Sequence, residues 1–90
     1  MPRVSVKVTI KNRLGLHARP AMEFVDAAMA FTSTVSVRRG DQEVDGKSIM
    51  QMMLLAATQG TELEVVADGD DAKAACDALA RLVDSGFNED

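Results

Sequence analysis

Val4, Val6, Val8 and Ile10 alternate with Ser5, Lys7, Thr9 and Lys11. Period two with β-branched residues predicts a half-buried strand. Asn12-Arg13-Leu14-Gly15-Leu16 breaks it. From Ala18 to about Ala30 the period changes, and Ala21, Phe24, Val25 and Ala28 fall on one helical stripe. Pro20 is tolerated only in the first turn of that helix, so the helix begins near His17 or Ala18.

Val35 and Val37 mark a second strand, Arg39-Gly40-Asp41 a turn, and Gln42-Glu43-Val44 a short third strand. Ser48 opens a short helix that runs to about Leu55. Leu63, Val65 and Ala67 alternate in a fourth strand. Asp68-Gly69-Asp70-Asp71 reads as a turn plus a helix cap. A last helix over roughly 71–84 carries Ala72, Ala75, Cys76, Leu79, Leu82 and Val83 on one stripe, with Lys73, Asp77 and Arg81 opposite. Gly86 ends it, and residues 85–90 are expected to fray. The order β-α-β-β-α-β-α has more strands than all-parallel crossovers need. It predicts an α+β fold, an open-faced β-sandwich with a four-stranded, mostly antiparallel sheet covered on one face by three helices.

Ninety residues, 47% of them hydrophobic and 27% charged, match one globular domain spanning 1–90. The net charge of −4 and the scarcity of aromatics, three Phe with no Trp or Tyr, argue against nucleic acid as a partner. The charge is uneven: residues 1–24 carry +4 and residues 25–90 carry −8. A local positive zone in an acidic chain favours a small anionic ligand or an acidic partner patch. One Cys and one His supply neither a disulfide nor a zinc site, so no metal and no cofactor are expected. The first residues lack an apolar leader core, and no apolar run nears ~18 residues, so the expectation is a cytoplasmic protein without membrane attachment.

The single His17 stands at a helix start, where free backbone N–H groups and the helix dipole attract anions. Arg19, in the same turn, suits bidentate phosphate contacts. Positive surroundings favour neutral imidazole, a competent nucleophile toward phosphorus. Two readings stand side by side: a histidine that receives a phosphoryl group, or a plain surface residue at a helix start. General acid–base chemistry ranks below both, because no carboxylate neighbours His17 in sequence and Glu23 is six residues on. Ser48 is a good N-cap and nothing more is required of it. The helix it opens is too apolar for one buried stripe. Met52 and Leu55 can face the core, leaving Ile49, Met50 and Met53 near the surface as an adaptable docking patch, unless the helix is buried on both sides. Gly40 to Gly46-Lys47-Ser48 mimics a P-loop but has five intervening residues where four are required. Cys76 reads as inert core.

Leu14-Gly15-Leu16-His17-Ala18-Arg19-Pro20-Ala21 resembles the active-centre segment of the HPr family, the histidine-containing phosphocarriers of the bacterial sugar phosphotransferase system. Lys47-Ser48-Ile49-Met50 resembles the family's regulatory serine segment, and Thr58-Gln59-Gly60-Thr61-Glu62-Leu63 its approach to the fourth strand. The resemblance implies a carrier, not a stand-alone enzyme. His17 would take phosphate on Nδ1 from enzyme I and pass it to enzyme IIA domains, as a transient phosphohistidine. Arg19 would clamp the phosphoryl oxygens, and the backbone amides of Ala18 and Arg19 would complete the cradle. Ser48 would be the target of an ATP-dependent HPr kinase/phosphorylase, with a transcriptional regulator as a further partner. Leu16, Ile49, Met50 and Met53 would meet partners, and the chain would act as a monomer. Where several members carry lysines, this sequence has Asp26, Met29 and Gln51, a thinner positive collar. The alternatives are a regulatory paralogue in a nitrogen-type relay, or an ACT or ferredoxin-like ligand-sensing module.

Overall fold

The computed structural model describes residues 2–89. Strand β1 spans Arg3–Thr9, helix α1 Ala18–Met29, β2 Thr34–Arg39, β3 Gln42–Asp45, α2 Ile49–Leu54, β4 Glu62–Asp68 and α3 Ala72–Asp84. A short turn at Gly86–Asn88 follows. The strands lie in the order β1-β4-β2-β3, every neighbouring pair antiparallel. This is the open-faced α+β architecture expected from the periodicities.

The register shows why the sheet has one dry and one wet face. Val6 pairs with Val65, Val65 with Val37, and Val37 with Val44, so one valine from each strand forms a row across the sheet. These side chains meet Ala21, Phe24, Val25 and Ala28 of α1 and Ala75, Leu79 and Val83 of α3 in a single core. One residue along, the row on the opposite face is Lys7, Glu64, Arg38 and Glu43, alternating in sign across four strands. Opposite charges at facing positions stabilise adjacent strands modestly and keep that face solvated. The Arg38–Glu64 contact is 3.7 Å.

Helix α2 packs against α1 and β3. Met52 and Leu55 anchor it in the core, as the pattern predicted. Its C-terminal carbonyls are satisfied from β2 and β3: the Arg39 Nη1 group donates to the oxygens of Leu55 and Ala56, and Gln42 Nε2 to that of Leu54. Cys76 is buried, and desolvation pushes its thiol upward, which fits an inert core residue.

Two expectations are corrected. Asp71 stands at the N-cap of α3, but its side chain makes no capping bond. It reaches instead to the loop after α1, accepting from the amides of Thr32 and Ser33 at 2.9 Å each and from both hydroxyls. Residues 85–89 do not fray. Phe87 is buried in the core, and Ser85, Gly86, Asn88 and Glu89 all take part in backbone hydrogen bonds. An aromatic ring with a hydrophobic pocket available outweighs the polar character of its neighbours. Asp90 lies outside the described residues.

The hydrogen bonds from Ser33 and Thr32 hold the Asp71 carboxyl at about 2, well below its ordinary 3.8. A depressed carboxylate contributes stability that is complete above its unfolded pKa and lost as pH falls through the folded one. Asp71→Asn is therefore expected to lower the thermal midpoint at neutral pH. It should also flatten the loss of stability between about pH 4 and pH 2, as followed by circular dichroism melts.

Candidate functional site

The segment between β1 and α1 is fastened to the loop between α2 and β4. Ile10 and Gly60 bond each other's neighbourhood through Ile10 N to Thr61 O and Gly60 N to Ile10 O. Leu16 N donates to Ala57 O at 2.8 Å. Gly15 sits beneath this crossing with φ +71°, and a Cβ built on it would lie 2.5 Å from Ala57 O. Only glycine satisfies both the left-handed backbone and the close approach. The chain then turns sharply, with His17 N on Gly15 O at 3.0 Å, and α1 begins.

His17 is the N-cap of α1, in extended backbone conformation, and its ring makes no capping bond. The amides of Ala18 and Arg19 occupy the first turn, where no intrahelical carbonyl is available to them. Pro20 has no N–H and is placed in that turn without loss. The His17 side chain is 37% exposed, open to solvent on one side. Arg19 is 81% exposed, with Nε 3.8 Å from Glu23 Oε2. The structure does not lay the guanidinium on His17. It leaves it loosely held two residues away and free to swing.

The imidazole has a carboxylate partner that local sequence did not reveal. His17 Nε2 lies 2.8 Å from Glu89 Oε1. The same oxygen accepts from Asn12 Nδ2 at 2.8 Å, and Asn12 Nδ2 also donates to Gly15 O at 2.6 Å. Asn12 is buried, and its Oδ1 has no partner among the described residues. Bonds from His17 and Asn12, with the Arg19 charge nearby, hold the Glu89 carboxyl below the usual carboxylate range. Sequence distance hid this group: 72 residues separate Glu89 from His17. The signal present was Phe87, an aromatic in an otherwise polar tail.

Ser48 caps α2, its Oγ accepting from Gln51 N at 3.2 Å. Ile49, Met50 and Met53 are exposed, Met50 to 82%. The alternative of a helix buried on both sides is thereby excluded. Leu54 on the same helix, Leu14 in the loop, and Met22 and Met29 on α1 add exposed apolar surface that the sequence reading did not single out. Leu16, expected at the docking surface, is only 6% exposed and belongs to the core, so it has almost no area to offer a partner. Leu16 points inward because its amide is held by Ala57 and its neighbour Gly15 is pressed against the same loop.

Among the described residues no three His, Cys, Asp or Glu side chains are grouped to hold a metal, and no helix is long and apolar enough to cross a membrane. A cleft of about 280 Å³ lies between β1 and α3, lined by Lys7, Lys11, Arg81 and Asp84 among others, and His17 is not in its walls. The site is thus an open surface: an accessible imidazole, free amides, an exposed guanidinium and apolar side chains. That combination suits transfer of a group between proteins better than enclosure of a small molecule.

Gly15→Ala should displace the loop that carries His17. The left-handed backbone alone costs about 1–2 kcal/mol for an L-residue, and the collision with Ala57 adds to it. An unfolding free energy from denaturant titration lowered by at least that amount, with shifted amide resonances for residues 12–19 and 56–60, is the expected result.

The comparisons with known proteins agree with this geometry. A family model described as the PTS HPr component phosphorylation site matches residues 4–85. The chain is 45% identical over 85 residues to the phosphocarrier protein NPr of Proteus mirabilis, covering 93% of this chain and 94% of that one. It superposes on HPr-C-His of Thermoanaerobacter tengcongensis with a TM-score of 0.89 at 42% identity, covering 100% and 99% of the two chains. It also resembles an HPr dimer from the same organism, with a TM-score of 0.78, 44% identity and coverage of 93% and 97%. Dimers among these structures leave the expectation of a monomer unsupported. The chain belongs to the HPr family of phosphotransferase-system phosphocarriers.

Proposed function

We propose that this phosphocarrier takes its phosphoryl group on His17 from phospho-enzyme I and delivers it to enzyme IIA domains. The observation that carries the reading is the solvent-open imidazole at the first turn of α1, with the Ala18 and Arg19 amides unbonded within the helix beside it. Transfer in line requires the acceptor nitrogen to reach a donor protein, which a buried ring would prevent. Arg19 acts by swinging from Glu23 onto the phosphoryl oxygens. With phosphoenolpyruvate and enzyme I, the chain is expected to gain an acid-labile, base-stable label. His17→Ala should abolish it, and label retained in that variant would refute the assignment.

Ile49, Met50 and Met53, joined by Leu54, form the partner-docking surface in this reading. Unbranched, polarisable methionine side chains adapt to more than one partner. Met50→Asp should raise the KM of enzyme I for this chain about tenfold or more, consistent with loss of a docking anchor. Phosphorylation of His17 by the small donor phosphoramidate should be unaltered, since that donor has no surface to dock.

Ser48 is the regulatory site in this reading. A phosphate there adds up to −2 of charge beside Ile49 and Met50. Lys47 is poorly placed to compensate, because its Nζ is held on Phe31 O at 2.8 Å. Added negative charge would therefore face an acidic partner largely unscreened and weaken docking. The Proteus relative carries the name NPr, which keeps the regulatory relay as a second reading. Faster phosphorylation by a nitrogen-type than by a sugar-type enzyme I would select it.

A further inference from the structure

Resting on the reading of His17 as the phosphoryl acceptor, we propose that Glu89 is a positioning residue that fixes the His17 ring in the Nε2–H tautomer and presents Nδ1 as the nucleophile. Glu89 lies outside residues 4–85, the segment matched by the family model, so the family match does not assign it this role.

Three observations converge. First, an ionised carboxylate only accepts hydrogen bonds, and Glu89 Oε1 faces both Asn12 Nδ2 and His17 Nε2 at 2.8 Å. The proton of a neutral ring must then reside on Nε2, leaving the lone pair on Nδ1. Second, the ring makes no capping bond to α1, so Nδ1 is not consumed by the first-turn amides. Third, the carboxylate is held by construction. Gly86, Phe87 and Asn88 have φ of +67°, +56° and +58°, a left-handed turn that bulky residues such as Phe adopt only under constraint. Burial of Phe87 pins that turn to the core, and Glu89 N bonds back to Gly86 O at 3.1 Å. Asn12, buried below, ties the carboxylate to the carbonyl of Gly15, whose backbone shapes the His17 loop. The depressed Glu89 carboxyl is consistent with a group kept charged at this point.

The chemistry balances. The Nδ1 lone pair forms a bond to phosphorus, and the bond from phosphorus to the donor nitrogen breaks with its electron pair. The Nε2 proton stays in place. The ring gains positive charge as the new bond forms, and the Glu89 carboxylate stabilises that charge on the side away from the phosphoryl group. Outer partners that orient a functional histidine commonly contribute 10–100-fold.

The test compares the wild-type chain with Glu89→Ala and Glu89→Gln. In Glu89→Ala the maximal rate of phosphorylation is expected to fall about tenfold with enzyme I, and equally with phosphoramidate, while the KM of enzyme I is unchanged. Long-range ¹H–¹⁵N spectra should show a single Nε2–H pattern for the neutral ring in the wild type and tautomer averaging in Glu89→Ala. Glu89→Gln retains an acceptor oxygen without the charge, so it should keep the tautomer and recover part of the rate. Wild-type rates in Glu89→Ala, or an unaltered ¹⁵N pattern, would overturn the proposal. A wild-type chain that takes no phosphate on His17 would instead overturn the functional reading, while the ¹⁵N comparison still decides the tautomer.

Discussion

The meeting of Gly15 with the Ala57 carbonyl is the contact on which the site depends. It sets where β1 hands over to α1, because the loop cannot lie closer than Gly15 permits or further than the Leu16–Ala57 bond allows. Leu16 is thereby driven inward and His17 outward. The next residues have no choice but to begin a helix, with Pro20 in the one turn that tolerates it. An exposed imidazole at the mouth of a helix is a consequence of backbone packing two residues earlier, not of any preference of histidine for that place.

The site was legible in the sequence as far as its parts are local. The helical stripe of α1, the position of Pro20 and the single histidine together placed His17 at a helix start. The excess of apolar residues between Ser48 and Leu55 correctly separated Met52 and Leu55, inside, from Ile49, Met50 and Met53, outside. What failed was nonlocal. Leu16 was assigned to the docking surface by resemblance, and the fold instead buries it, with its amide bonded to Ala57 O. Asp71 looked like a helix cap, yet Thr32 and Ser33 offered it four donors across the fold and outcompeted the local amides. Glu89 sat in a segment too polar to seem ordered, and Phe87 alone held it down. For Asp71 and Glu89 a short-range propensity lost to a long-range partner.

The charge pattern follows the same division of labour. On the open face of the sheet the row Lys7, Glu64, Arg38 and Glu43 alternates in sign and balances itself. Arg19 beside His17 is engaged only by Glu23 at 3.8 Å, and Met22 and Met29 on α1 and Ile49, Met50, Met53 and Leu54 on α2 are exposed. Specificity at such a face comes from shape and apolar fit more than from a ring of cations. Cations would mainly speed encounter. Asp26, Met29 and Gln51 stand where several family members carry lysines, so fewer cations are available here to speed encounter.

A carrier must hold its cargo firmly enough to cross between proteins and loosely enough to give it up. Deep burial would trap the phosphoryl group, while a bare surface histidine would leave the ring free to rotate and to protonate on either nitrogen. This structure divides the two demands between the two faces of one ring. Nε2 is tied, through Glu89 and Asn12, to a buried and strained part of the chain. Nδ1 makes no capping bond to α1 and is left to the phosphoryl group in this proposal. Rigidity on one nitrogen is what permits openness on the other, because orientation no longer has to be supplied by the surface that the partner protein must occupy.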